Sequence, residues 1–113
     1  MKSREHNLQV ATVQLLRANK IFCFAVPNGG RRDAITGANL KKEGVLAGVS
    51  DLIILKPNKV FFVEMKDGKN GRQSQEQKYF EQVVTSYGFK YLIWRTPEDV
   101  MNFIKEEKGD NNG

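Results

Sequence analysis

The sequence predicts one small α/β domain, a mixed sheet with helices on its faces. A chain of 113 residues has room for one hydrophobic core and little for a second. Apolar residues at 40% and charged residues at 27% are globular values. The apolar pattern switches between helical and strand periods in the order α-β-(α)-β-β-α-β-α, which builds a mixed rather than a purely parallel sheet.

Residues 3–19 read as a helix that Ser3 can cap, with Leu8, Thr12, Leu15 and Leu16 spaced as one apolar stripe. Extended backwards by three residues, that stripe lands on Glu5. A β-rich run at 21–26 stops at Pro27-Asn28-Gly29-Gly30, which is turn chemistry. Segment 31–48 is polar and basic and reads as a loop with a short helix around Ala38 to Glu43. Asp51 to Leu55 and Val60 to Lys66 form two strands joined by Lys56-Pro57-Asn58-Lys59. The short link implies an antiparallel hairpin, and Pro57 favours a four-residue loop over a tight primed turn. A polar loop, 67–73, precedes a helix at about 75–87 that ends at Gly88. Strand Lys90 to Arg95 then leads into a helix over 97–107, capped by Thr96 with Pro97 at its first position. Residues 108–113 read as a flexible polar tail.

No run of about 18 apolar residues is present, so a membrane-spanning helix is not expected. MKSREHNLQ lacks the apolar centre of a secretion signal, and the single Cys23 permits no internal disulfide. A cytoplasmic setting follows, with Cys23 a small buried apolar residue. The net charge of +5 is unevenly spread: residues from 76 onward sum to −2, so the positive excess lies in the first two thirds. That bias points to a polyanionic partner.

The hairpin carries the chemistry. Pairing Leu55 with Val60 sets Asp51 opposite Glu64, at a Cβ separation of about 4.5–5.5 Å. Alternation then puts Glu64 and Lys66 on that same face, while Leu52, Ile54, Phe61, Val63 and Met65 line the other. Two carboxylates so close repel unless a proton or a cation lies between them. A hard divalent cation, Mg²⁺ or Mn²⁺, resolves the conflict; a strand-end ion pair with Lys66 is the plainer alternative. Glu5, on the apolar stripe of its helix, faces the same sheet unless it only answers the helix dipole. Ser74-Gln75-Glu76-Gln77 matches a capping box, so Gln77 holds a helix start, joins the site, or does both. His6, the sole histidine, points about 100° away from Glu5 and reads as solvated, which excludes sites built on several histidines. The glycine-rich pieces 28–30 and 68–71 match no phosphate-binding loop.

Glu5 on a first helix, Asp51 at a strand start and Glu64-x-Lys66 on the next strand resemble the PD-(D/E)xK nuclease superfamily. Gly48-Val49-Ser50-Asp51-Leu52-Ile53-Ile54, Phe62-Val63-Glu64-Met65-Lys66, Gly71-Arg72-Gln73-Ser74-x-x-Gln77 and Tyr87-Gly88-Phe89 together resemble the VRR-NUC family, in the compact stand-alone form found in phages and bacteria. Met65 departs from the Leu or Val of many relatives. The resemblance implies a restriction-endonuclease-like fold over residues 1–107 and metal-dependent hydrolysis of DNA phosphodiesters in a bacterial cell or phage-infected host.

On that resemblance, Asp51, Glu64 and the Met65 backbone carbonyl hold Mg²⁺ or Mn²⁺, which lowers the pKa of bound water. Glu5 serves a second metal or its water shell. Lys66 orients the nucleophile and offsets developing charge, and Gln77 supports Lys66 or the water. Arg31, Arg32, Lys41, Lys42, Lys69 and Arg72, in the two basic segments, contact phosphates. Stand-alone relatives resemble four-way (Holliday) junction resolving enzymes, and a C2 homodimer presents two sites to branched DNA. The rivals are a flap, nonspecific or restriction-like DNA nuclease and a noncatalytic nucleic-acid-binding module.

Overall fold

The computed structural model describes residues 3–27, 34–68 and 71–112. In chain order they form α1 (Ser3–Ala18), β1 (Phe22–Ala25), α2 (Ala34–Lys42), β2 (Leu52–Lys56), β3 (Lys59–Met65), α3 (Gln75–Ser86), β4 (Lys90–Trp94) and α4 (Pro97–Asn112). The four strands lie side by side in the order β1-β2-β3-β4. β1 and β3 run antiparallel to β2, and β4 runs parallel to β3, so the sheet is mixed as expected.

Hairpin register follows the expected pairing. Leu55 faces Val60 and Leu52 faces Val63, which sorts the side chains onto two faces. One face is fully apolar: Leu52, Ile54, Phe61, Val63 and Met65 are buried with Leu16 of α1 and Val100, Phe103 and Ile104 of α4. Phe103 meets Phe61 at 5.0 Å and Trp94 at 5.3 Å between ring centroids, a spacing at which edge-on rings attract beyond simple burial. Each large aliphatic side chain buried there contributes about 1.5–3 kcal/mol. The opposite face is covered by α3 only over β3 and β4, where Phe80 packs on Phe62 and Tyr91.

Three local expectations are corrected. The hairpin turn has two residues rather than four, because Lys56 pairs with Lys59. Pro57 supplies the fixed φ of a turn's second position and Asn58, at φ 64°, supplies the left-handed third, the combination a type II turn requires. Since both loop lengths share one register, the face assignment is unaffected. Helix α2 begins at Ala34, four residues before the expected start. Gly37 reads as a break, yet a helix tolerates one interior glycine at about 1 kcal/mol. Helix α4 continues to Asn112, through most of the segment read as a tail. Its first turn is tied by Asp99, whose Oδ2 accepts from the backbone N–H of Arg95 (2.7 Å) and Thr96 (3.2 Å).

Candidate active site

The site forms where β2 begins and β3 ends. Ladder pairing stops at Leu52 and Val63, so Asp51 sits one residue beyond it, across from Glu64. Its backbone carbonyl accepts from Val26 at 2.9 Å, and its Oδ2 accepts the N–H of Met65 at 2.7 Å. The first bond ties the Asp51 backbone to the end of β1, and the second holds its carboxylate against the end of β3. Glu64 itself is 2% exposed, as deeply placed as the core.

Gln77, in the first turn of α3, joins the charged groups. Its Nε2 donates to Glu64 Oε2 at 2.7 Å, and its Oε1 accepts from Lys66 Nζ at 2.8 Å. The same Oε1 accepts the Ser74 N–H at 2.8 Å, while the Gln77 N–H donates to Ser74 Oγ at 3.1 Å, closing a capping box. One side chain therefore starts the helix and bridges the cluster. Lys66 Nζ stands 3.7 Å from Glu64 Oε2 in a nearly buried ion pair.

One polar atom in this network receives no hydrogen bond from a donor of the protein. Glu64 Oε1 is buried without a hydrogen-bond partner, a costly state for a carboxylate oxygen. Burial first, then the neighbouring Asp51 charge, push the Glu64 carboxyl up to about 8; Lys66 opposes them, and a hydrogen bond with Asp51 and the charge of Glu5 add to the rise. Glu5, Asp51, Glu64, Lys66 and Gln77 all line one open cleft of about 330 Å³. His6 is exposed on the other side of α1, lining a separate groove with Gln9 and Val10.

No family model matches the chain, and no curated protein does. Two solved structures are similar. One, a "VRR_NUC domain", aligns at TM-score 0.66 and 17% identity over 90% of this chain and 95% of its own. Another, a "VRR_NUC domain protein", aligns at TM-score 0.75 and 19% identity over 91% of this chain and 86% of its own. The chain has the VRR-NUC fold.

Within that VRR-NUC fold the donor set fits a hard cation. An orphaned carboxylate oxygen, a second carboxylate across the strand and an open cleft are what an oxygen-liganded divalent ion requires. Glu5 lines the cleft without completing a triad: among the described residues no three His, Cys, Asp or Glu side chains come together as a metal-holding group. Asp51 and Glu64 are thus a pair. Of the expected phosphate contacts, Lys41 and Lys42 are exposed on α2 and Arg72 is exposed in the loop before α3, none of them lining the cleft. Arg31, Arg32 and Lys69 lie outside the described residues.

Two supporting residues carry roles that the sequence reading does not assign. Gly48, at φ +90°, presses against α3 so closely that a Cβ there would stand 2.5 Å from the Glu76 carbonyl carbon and oxygen and 2.8 Å from the Gln77 nitrogen. Only glycine permits both that backbone angle and that approach, which sets the distance of Gln77 from the strands. Arg95 donates through Nη1 to the carbonyls of Gly68 and Gly71, both at 2.7 Å, and so clamps the loop that leaves Lys66. A glycine four residues ahead of β2 hints at the first; nothing local marks the second, because its partners are more than twenty residues away.

Proposed function

We propose that the chain is a Mg²⁺- or Mn²⁺-dependent endodeoxyribonuclease of the PD-(D/E)xK type. The observation that carries this reading is the partnerless Glu64 Oε1 beside Asp51, with the Lys66 ammonium held in the same open cleft. Asp51, Glu64 and the Met65 carbonyl would hold the cation, and Glu5, from the same cleft, would bind its water shell or a second ion. When bound, the cation supplies Lewis acidity toward a phosphate oxygen and a lowered pKa for its water.

The chain's own residues do the rest. Lys66, fixed by Gln77, places a positive charge where negative charge builds on the scissile phosphate, and it orients the nucleophile. Gln77 bonds Glu64 and Lys66 through the two ends of its amide and so holds both side chains at the cleft. The Met65 N–H holds Asp51 in its site rotamer. Arg31, Arg32, Lys41, Lys42, Lys69 and Arg72 contribute phosphate contacts around it, which makes binding salt-sensitive and weakly sequence-specific.

The preferred substrate is a four-way DNA junction cut by a homodimer in the cytoplasm of a bacterial or phage-infected cell. The dimer is supported by edge strand β1: Phe22 and Phe24 are exposed there, beside exposed Leu55 of β2 on the same sheet face. No described helix is long and apolar enough to cross a membrane. A cleavage panel with Mg²⁺ and Mn²⁺ on four-way, flap, linear duplex and single-stranded DNA tests the reading. Paired symmetric incisions confined to the four-way junction support it. Equal cutting of junction and duplex replaces it with a nonspecific nuclease, and an inert wild type that still binds DNA leaves a binding module.

A further inference from the structure

The far end of the sheet carries a second concentration of charge, built around Glu107. This α4 carboxylate is buried, and its Oε1 lies 3.4 Å from Lys56 Nζ and 3.8 Å from Lys59 Nζ with no hydrogen bond of its own. Two clefts of about 380 and 460 Å³ meet at Glu107. Lys20, Lys56 and Lys108 line the first; Lys59 and Lys90 line the second. Glu107 is the one carboxylate among the described residues of either lining, beside five lysines.

Topology fixes where this cluster stands. Lys56 and Lys59 flank the hairpin turn, Lys90 opens β4 beside Phe61, and Lys20 precedes β1, whose Phe22 pairs with Leu55. All of these are hairpin-turn ends, whereas Asp51, Glu64 and Lys66 occupy the opposite ends. Five to seven residues of strand separate the two along the sheet, about 16–23 Å at 3.3 Å per residue. They also lie on opposite faces: Lys56, Lys59 and Lys90 share the face of Ile54 and Phe61 under α4, whereas Asp51 and Glu64 share that of Phe62 under α3.

We infer that the lysine cluster around Glu107 is a second phosphate-backbone contact for DNA, on the α4 face at the hairpin-turn end of the sheet, away from the candidate active site. Glu107 organises it: the buried carboxylate fixes Lys56 and holds Lys59 at the junction of the clefts. Lys20, Lys90 and Lys108, all exposed, supply the charge that meets phosphate. A polyanion gains from several such contacts at once because each one releases condensed counterions. The inference takes its partner from the proposed function but does not require cleavage.

Its test is a DNA-binding titration without divalent metal, on a 30-base-pair duplex, at several salt concentrations. The variants are K20Q/K90Q/K108Q and the charge-preserving K20R/K90R/K108R. The Gln variant is expected to lower the slope of log K against log salt by about 2–3 relative to wild type, each lost phosphate contact being worth about 0.9. The Arg variant is expected to keep the wild-type slope. Equal slopes for wild type and the Gln variant overturn the inference, as does an Arg variant that behaves like the Gln one. Wild-type protein that binds DNA with this slope difference yet cleaves nothing retains the second contact and fails the nuclease reading alone.

Discussion

Replacing Gln77 by Ala, with Ser74→Ala as its partner, separates the two tasks of Gln77. Ser74→Ala removes the acceptor for the Gln77 N–H and leaves the side-chain bridge from Gln77 to Glu64 and Lys66 in place. Losing such a cap costs about 1 kcal/mol. Gln77→Ala removes the reciprocal half of the capping box and also the bonds to Lys66 and Glu64. The bond from the charged Lys66 contributes about 1.5–3 kcal/mol, the bond to the buried Glu64 carboxyl, largely protonated at neutral pH, about 1 kcal/mol, and the cap about 1 kcal/mol. The expected loss is about 3–5 kcal/mol, read from urea unfolding at neutral pH without added metal. Junction cleavage by a folded Gln77→Ala population is expected to fall at least about 100-fold, roughly the loss on removing one preorganised donor. Ser74→Ala is expected to stay within a few-fold of wild type. If the two variants match in both stability and cleavage, Gln77 is only a helix cap and the bridge has no chemical role.

Gly48→Ala is expected to destabilise by about 2–4 kcal/mol in urea unfolding, from the left-handed backbone angle and the collision with α3 together. Metal-free stability depends on pH through Glu64, whose carboxyl is raised from 4.5 to about 8 in the fold. Between those values the folded state holds a proton that the unfolded chain lacks, so stability is greatest below pH 4.5 from this group. It falls as pH rises toward 8, by up to about 1.4 kcal/mol per pH unit, and Glu64→Gln flattens that part of the urea-measured profile. Arg95→Ala is expected to accelerate amide hydrogen exchange at Gly71, whose N–H bonds Asp67 within the clamped loop, by 10-fold or more, while the exchange of Val63 stays protected.

How far the sequence reached depended on the range of each interaction. Hairpin register was legible because Leu52, Ile54, Phe61, Val63 and Met65 can be buried together in only one pairing, and that pairing carried Asp51 to Glu64. Glu5 was legible for a similar reason, since the stripe through Leu8, Thr12 and Leu16 fixes which way it faces. Capping chemistry marked Gln77, although the second use of its side chain needed the strand geometry. What escaped were contacts with no local signature. Arg95 reaches back to Gly68 and Gly71, and Glu107 gathers Lys56 and Lys59 across half the chain. The Pro57 turn was misjudged because proline excludes the primed turns but suits the type II turn that Asn58 completes.

The claim on which the rest stands is that Asp51 and Glu64 form a divalent-cation site. Titration of Mn²⁺ followed by electron paramagnetic resonance, which distinguishes free from bound ion, measures it without any assumption about substrate. Wild-type protein at pH 8 is expected to bind Mn²⁺, and Asp51→Asn and Glu64→Gln to weaken that binding at least 10-fold while remaining folded. Mn²⁺ bound equally by wild type and both variants, or by none of them, would contradict the account.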